Sequence, residues 1–294
     1  MNQETNKLQP SSAQPTQYHT HISAKKRLFQ LNLGEVWRYR DLIVLFTRRS
    51  FVLTYKQTVL GPAWIFLTPI ITSLIYTFVF GGIAGISTDG VPTLLFYLTS
   101  NAVWNFFSSC VTQNAATFTA NANVFGKVYF PRLTIPISNM LASVIQFFVQ
   151  MILVAILLGY YSITGAVSPN WWGLLLIPVI LLQLGVLGLG VGIIISSLTT
   201  KYRDLAILVT FGVQLWMYAT PIVYPLSQLS DGLMRTILTV NPVTAPVELF
   251  RWALLGEGTI LPLALILSAV LTVVVALVGV MIFNRVEKTF MDTV

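Results

Sequence analysis

The run ILPLALILSAVLTVVVALVGVMIF, from Ile260 to Phe283, contains no charged residue, and its only hydroxyls are Ser268 and Thr272. A helix needs about 20 predominantly apolar residues to cross a hydrocarbon core, and this run is long enough. Five more runs of that kind precede it: Leu60–Ala84, Pro92–Val111, Ile135–Tyr160, Trp172–Leu198 and Leu205–Leu226. Across 294 residues the chain is 55% hydrophobic and 9% charged, against roughly 25% charged in soluble domains. The pattern predicts an all-α integral membrane protein with six transmembrane helices.

The cations give an orientation. Of the 17 Lys and Arg, all but Arg235 and Arg251 lie before the first run, between the second and third, between the fourth and fifth, or after the sixth. Positive residues accumulate on the cytoplasmic side, which predicts a multi-pass protein with both termini in the cytoplasm. The net charge of +7 follows from that bias and from attraction to anionic lipid. It gives no reason to expect nucleic-acid binding.

Around the spans, residues 1–32 are polar, have no apolar core of a signal peptide, and are expected to be disordered. Residues 33–59 alternate cations with aromatics and aliphatics (Val36, Leu42, Ile43, Leu45, Phe46, Phe51), the pattern of a helix lying in the membrane interface. The six-span region is expected over 60–285, and a cytoplasmic tail over 286–294. Between the fifth and sixth runs, Ser227–Thr259 carries Arg235, Glu248 and Arg251 and is interrupted at Asn241-Pro242 and Ala245-Pro246. A seventh span here would put Arg285 and Lys288 outside. Two short helices that dip into the outer leaflet and return fit the charges better, and such backbone must pack on protein or line water.

Several function classes are excluded by missing groups. Every Asp and Glu falls in a tail, loop or boundary (Glu4, Glu35, Asp41, Asp89, Asp204, Asp231, Glu248, Glu257, Glu287, Asp292), so the spans offer nothing for a proton-driven pump to titrate. No phosphate-binding G-x-x-x-x-G-K-[ST] loop is present. No paired carboxylates, nucleophile–base set or metal cluster appears. His19 and His21 have no third ligand nearby, and the single Cys110 excludes a disulfide framework.

What the spans do carry is neutral and polar. Helical spacing puts Asn101, Asn105, Ser108 and Thr112 on one face of the second span, with Trp104 beside them. The first span adds Trp64, Thr68, Thr72 and Tyr76, the third Gln146 and the fifth Gln214 and Trp216. Amides pair with sugar hydroxyls and flat aromatic rings take the apolar face of a sugar, so this set suits a pathway for a glycan. The same residue types also bond helices to one another in lipid. In the fourth span Gly188 and Gly192 form a small-xxx-small pair for close packing, within the chain or between copies.

The loop NVFGKVYFPR (Asn123–Arg132) surfaces between the second and third runs with two cations, Lys127 and Arg132. The order of motifs now becomes informative: WRYRDLIVLFTRR (Trp37–Arg49), YKQTVLGPAW (Tyr55–Trp64), GKVYFPR (Gly126–Arg132), KYRDL (Lys201–Leu205), TPIVYP (Thr220–Pro225) and Asn241-Pro242. From about residue 33 to its end the chain resembles the permease subunits of type-2 ABC exporters, in the branch that exports O-antigen, capsule and teichoic acid. The resemblance implies a homodimer docked to two copies of a separate ATPase that holds ATP and Mg, and this chain would need no cofactor of its own. It implies a coupling role toward that ATPase for Asn123, Val124, Phe125, Gly126, Lys127, Tyr129 and Arg132. Asn241, Pro242, Glu248 and Arg251 would then belong to an external gate, and Arg38, Arg40, Arg48 and Arg49 to contacts with lipid or substrate phosphate. The expected cargo is a lipid-linked glycan crossing the bacterial cytoplasmic membrane. Teichoic acid, lipid or drug on the same architecture, or a passive channel, are the alternatives.

Overall fold

A computed structural model describes residues 33–56, 59–125, 127–200, 202 and 204–290. The expected disordered tail, Gly126, Lys201, Arg203 and residues 291–294 lie outside the described residues. The regular structure among the described residues is helical, with α-helices in the order α1 (Leu33–Arg38), α2 (Arg40–Tyr55), α3 (Trp64–Tyr76), α4 (Thr93–Ala115), α5 (Thr117–Phe125), α6 (Thr134–Ile163), α7 (Ile177–Thr199), α8 (Leu205–Tyr218), α9 (Leu233–Val240), α10 (Thr244–Leu255) and α11 (Pro262–Phe290).

Among the described residues four stretches are long and apolar enough to cross a membrane: Gly61–Ile83, Thr134–Ile163, Gly173–Thr199 and Pro262–Val286. α4 has the length, but amides and hydroxyls dilute its apolar character. α8 is short. The apolar run that reads as far as Leu226 ends as a helix at Tyr218, because Pro221 cannot continue a helix and restrains Thr220 before it. Gly61–Ile83 is irregular: Pro69 sits inside α3 and its last turns, Thr77–Ile83, widen into a π-helix, a geometry frequent at functional sites.

α4 is the hub. Sixteen of its residues are buried, including Thr99, Ser100, Asn101 and Asn114, because α3, α6, α7, α8 and α10 all pack around it. The glycine pair of α7 explains one of these contacts. A Cβ on Gly188 would lie 2.7 Å from the Cβ of Cys110, and one on Gly192 2.5 Å from that of Asn114. The small-residue stripe is therefore spent within the chain, where it lets two backbones meet. α11 covers another side of α7, with Gly190 against Ala276.

The segment expected at the interface consists of two helices broken at Tyr39, and α2 lies on α6. Ile43 and Thr47 are buried there. The Thr47 hydroxyl donates to the Ile43 and Ser138 carbonyls at 2.8 and 3.3 Å, and the Ser138 hydroxyl donates back to Ile43 O at 3.2 Å. Leu45 faces outward with Trp37, Val44 and Leu53. Positions 36, 43 and 47 share the protein-facing side, leaving a second apolar strip exposed.

Between α8 and α11 the chain folds into the two short helices α9 and α10. Asn241-Pro242 makes the break. Ala245-Pro246 does not, because Pro246 stands in the first turn of α10, where its missing N–H has no helical partner to lose.

Candidate functional site

The two ends of the bundle differ. At the end holding Lys127, five phenylalanines from four parts of the chain form one cluster. Phe118 stacks on Phe283 at 4.7 Å between centroids, Phe118 and Phe125 are 5.9 Å apart, Phe125 and Phe130 5.8 Å, and Phe46 of α2 reaches Phe130 at 5.7 Å. Arg132 is buried with its guanidinium over Phe125, a cation–π contact. The Phe118 N–H donates to Ser196 Oγ at 3.1 Å, tying the start of α5 to α7. On this base the loop tip stands out: Val128 is 58% and Tyr129 73% exposed, while Phe125 and Phe130 are 3% and 5% exposed. Lys127 and Asn123 are exposed and Val124 is half-buried. The loop residues thus divide into a protruding tip and an aromatic pedestal.

Inside the bundle the neutral polar residues also divide. Asn101 and Trp104 are buried in the α4 core. Asn105, Ser108 and Thr112 are half-buried, as are Thr72, Tyr76, Gln146 and Trp216, while Trp64, Thr68 and Gln214 are exposed. Thr112 spends its hydroxyl on the Ser108 carbonyl of its own helix at 2.9 Å. Lower on α4 the amides hold helices together: Asn139 donates to Gln113 O and to Asn114 Oδ1, each at 3.3 Å. Tyr76 donates to Met217 Sδ at 3.4 Å and meets Tyr97 edge-on at 6.0 Å, linking α3 to α8 and α4. Trp216 stands edge-on to Phe107 at 5.2 Å, which in turn touches Trp104 at 5.5 Å.

The end holding Asp89 is closed by polar contacts. Ser227 donates to Asp89 Oδ2 at 2.6 Å and Gln228 to Ser87 O at 2.8 Å, joining two loops remote in sequence. Asn241 uses its whole side-chain amide. Oδ1 accepts from Trp216 Nε1 and from the Val243 N–H, both at 3.1 Å. Nδ2 donates to Ala219 O at 2.8 Å and to Thr220 Oγ1 at 2.9 Å. Pro242 beside it is half-buried.

α10 carries charge into the packed bundle. Glu248 and Arg251 are 2% and 1% exposed and face each other at 3.3 Å between Oε1 and Nη1. Glu248 Oε2 accepts from the Thr259 N–H at 2.9 Å, and the Arg251 guanidinium lies 4.6 Å from the Phe96 ring centroid. Burial pulls the guanidinium pKa below its ordinary value, while Glu248, Asp89 and Tyr224 push it back up. No apolar span contains this pair, in keeping with the sequence, yet the pair is enclosed by protein. Its i,i+3 spacing on one helix was the available signal. At the opposite end Arg38, Arg40, Arg48 and Arg49 are exposed along α1 and α2, with Arg40 4.0 Å from Asp41.

A helical bundle with, among the described residues, four stretches of membrane length and apolarity defines an integral membrane protein. The family model described as ABC-2 type transporter matches residues 41–255, and the chain belongs to that family. Two relatives from Klebsiella pneumoniae, both described as O-antigen export system permease protein RfbA, are 29% and 30% identical over 262 and 266 residues. Each alignment covers 89% of this chain and 96% of the relative. A relative of the same description from Myxococcus xanthus is 27% identical over 215 residues, covering 72% of this chain and 79% of its own length.

Proposed function

We propose that this chain is the transmembrane subunit of an ATP-driven exporter that moves a lipid-linked O-antigen polysaccharide across the bacterial cytoplasmic membrane. The observation that carries the reading is similarity along nearly the whole chain to O-antigen export permeases. The geometry adds a means of taking up work from a partner. A push on Lys127–Tyr129 meets a pedestal in contact with α2, α5, α7 and α11, so it moves helices rather than deforming a loop. The partner is an ATPase binding ATP and Mg, two copies to two copies of this chain.

In this reading six segments cross the membrane: Gly61–Ile83, α4, α6, Gly173–Thr199, α8 with the turn beyond it, and α11. Both termini are cytoplasmic, the Lys127 end faces the ATPase, and α9–α10 re-enter the outer leaflet as the external gate. The exposed apolar faces of α3 (Ile71, Leu74, Ile75) and α8 (Leu208, Phe211, Leu215) suit a second copy of the chain. The glycan then runs over the accessible groups Thr68, Thr72, Asn105, Ser108, Gln146 and Gln214, and Asn101 and Trp104 support the helix that presents them. The exposed arginines of α1 and α2 take lipid phosphate, from the bilayer or from the cargo.

The test is to reconstitute the chain with its ATPase in proteoliposomes and measure hydrolysis with and without lipid-linked O-antigen. Stimulation and lumenal delivery of the glycan are expected. Hydrolysis stimulated by teichoic acid, lipid or drug instead would reassign the cargo, and glycan movement without nucleotide would sink the reading.

A further inference from the structure

We infer that Asn241 is a positioning residue that makes the α9–α10 segment follow the end of α8. The inference does not rest on the identity of the cargo.

α9 is a short helix whose Leu233, Met234 and Ile237 are exposed, so apolar packing within the chain holds it only lightly. α10, by contrast, is buried along most of its length. The joint between them is Asn241, and what Asn241 holds is α8. Its amide is saturated: both lone-pair directions of Oδ1 and both Nδ2 protons have partners, the full capacity of that group. Three of the four bonds reach the last turn of α8 and the residues just after it, through Trp216, Ala219 and Thr220. The fourth turns back to Val243 and fixes the start of α10. Thr220 is itself held, since its hydroxyl donates to Trp216 O at 2.9 Å. The indole of Trp216 is braced against Phe107 of α4, so its N–H is aimed by packing. Trp216, expected from sequence to face a substrate, commits its only polar atom to this joint. A fully satisfied network favours one geometry, which is what a rigid joint requires, and Thr220 within it is buried. A displacement of the end of α8 therefore carries Asn241, and Asn241 carries both short helices.

The test is pulsed electron–electron resonance on the full chain in nanodiscs. Spin labels at Ile207→Cys on α8 and Leu233→Cys on α9 occupy exposed positions apart from those assigned to a second copy, and the native Cys110 is buried. Labelled chain is mixed with excess unlabelled chain so that only distances within one copy are read. With Asn241 present a single narrow distance is expected. Asn241→Ala should broaden or split it. Trp216→Phe, which keeps an aromatic ring but deletes the indole donor, should do so in part. Amide exchange over residues 233–243 should rise about five- to tenfold in Asn241→Ala, as expected for losing a hydrogen bond of ordinary strength. If Asn241→Ala does not fold, Asn241→Asp has the same shape, keeps the acceptor and lacks both donors, and the same broadening is expected. Lower thermal stability with an unchanged distance distribution in these variants would overturn the proposal, because Asn241 would then add stability without setting position.

Discussion

The Phe118 ring lies over the Phe283 ring, 4.7 Å between centroids and inclined by 27°, so the helix before the protruding loop rests directly on the last long helix of the chain. Both rings are fully buried. Phe118→Ala should cost about 3–5 kcal/mol, the range for emptying a packed aromatic site. Phe118→Leu should cost clearly less. Thermal unfolding in detergent, read from tryptophan fluorescence, would check the order.

The tip should behave oppositely. Lys127 and Val128 are exposed, and exposed substitutions usually stay within about 0.5 kcal/mol. Lys127→Glu and Val128→Ala are expected to leave the melting temperature near that of the unaltered chain. They should reduce co-purification with the ATPase, or its stimulated hydrolysis. Unchanged coupling in both variants would count against the loop as the point of contact.

The Glu248–Arg251 pair gives a double-mutant cycle with a defined sign. Arg251→Met alone leaves a buried carboxylate without its counter-charge, at about 3–5 kcal/mol. Glu248→Gln with Arg251→Met removes both charges and should recover much of that loss. If the double variant is as unstable as the sum of the two single ones, the two side chains are not coupled. Phe96→Leu, which removes the ring under the guanidinium, should cost about 0.5–2 kcal/mol for the cation–π contact.

Two glycines separate close approach from open space. A Cβ on Gly192 would meet Asn114 Cβ at 2.5 Å and Val111 O at 2.9 Å, whereas one on Gly212 would meet nothing within 4 Å. Gly192→Ala should force α7 away from α4 and lower the melting temperature. Gly212→Ala should be neutral, or stabilise by a few tenths of a kcal/mol up to about 1 through helix propensity.

These variants probe what the sequence could and could not reveal. Ile260–Phe283 was legible because uninterrupted apolarity has one meaning at that length, and from Pro262 onward it forms the greater part of α11. The end of α8 was misread by following hydrophobicity to Leu226 past Pro221, although the proline was the stronger signal. Pro246 was misread in the other direction, since a proline stops a helix only outside its first turn. The loop around Lys127 stood out by its charges, but the division between tip and pedestal did not. That division depends on Phe46 and Phe283, which approach from opposite ends of the chain. Asn241 was noticeable only as half of an Asn-Pro step, because its partners Trp216, Ala219 and Thr220 are brought to it by tertiary folding. The polar positions of α4 follow a helical period whether they face a neighbour or a cavity, and burial alone separates Asn101 from Asn105.

The bonds from Ser227 to Asp89 and from Gln228 to Ser87 constrain how such a chain can change over generations. Each turn supplies the other's polar partners, so trimming or lengthening either one by itself hands those groups to water and unties the two loops. Insertions and deletions in these two turns should therefore tend to occur together across the lineage, and chimaeras that exchange one turn without its mate should keep every long helix while losing the join between the loops.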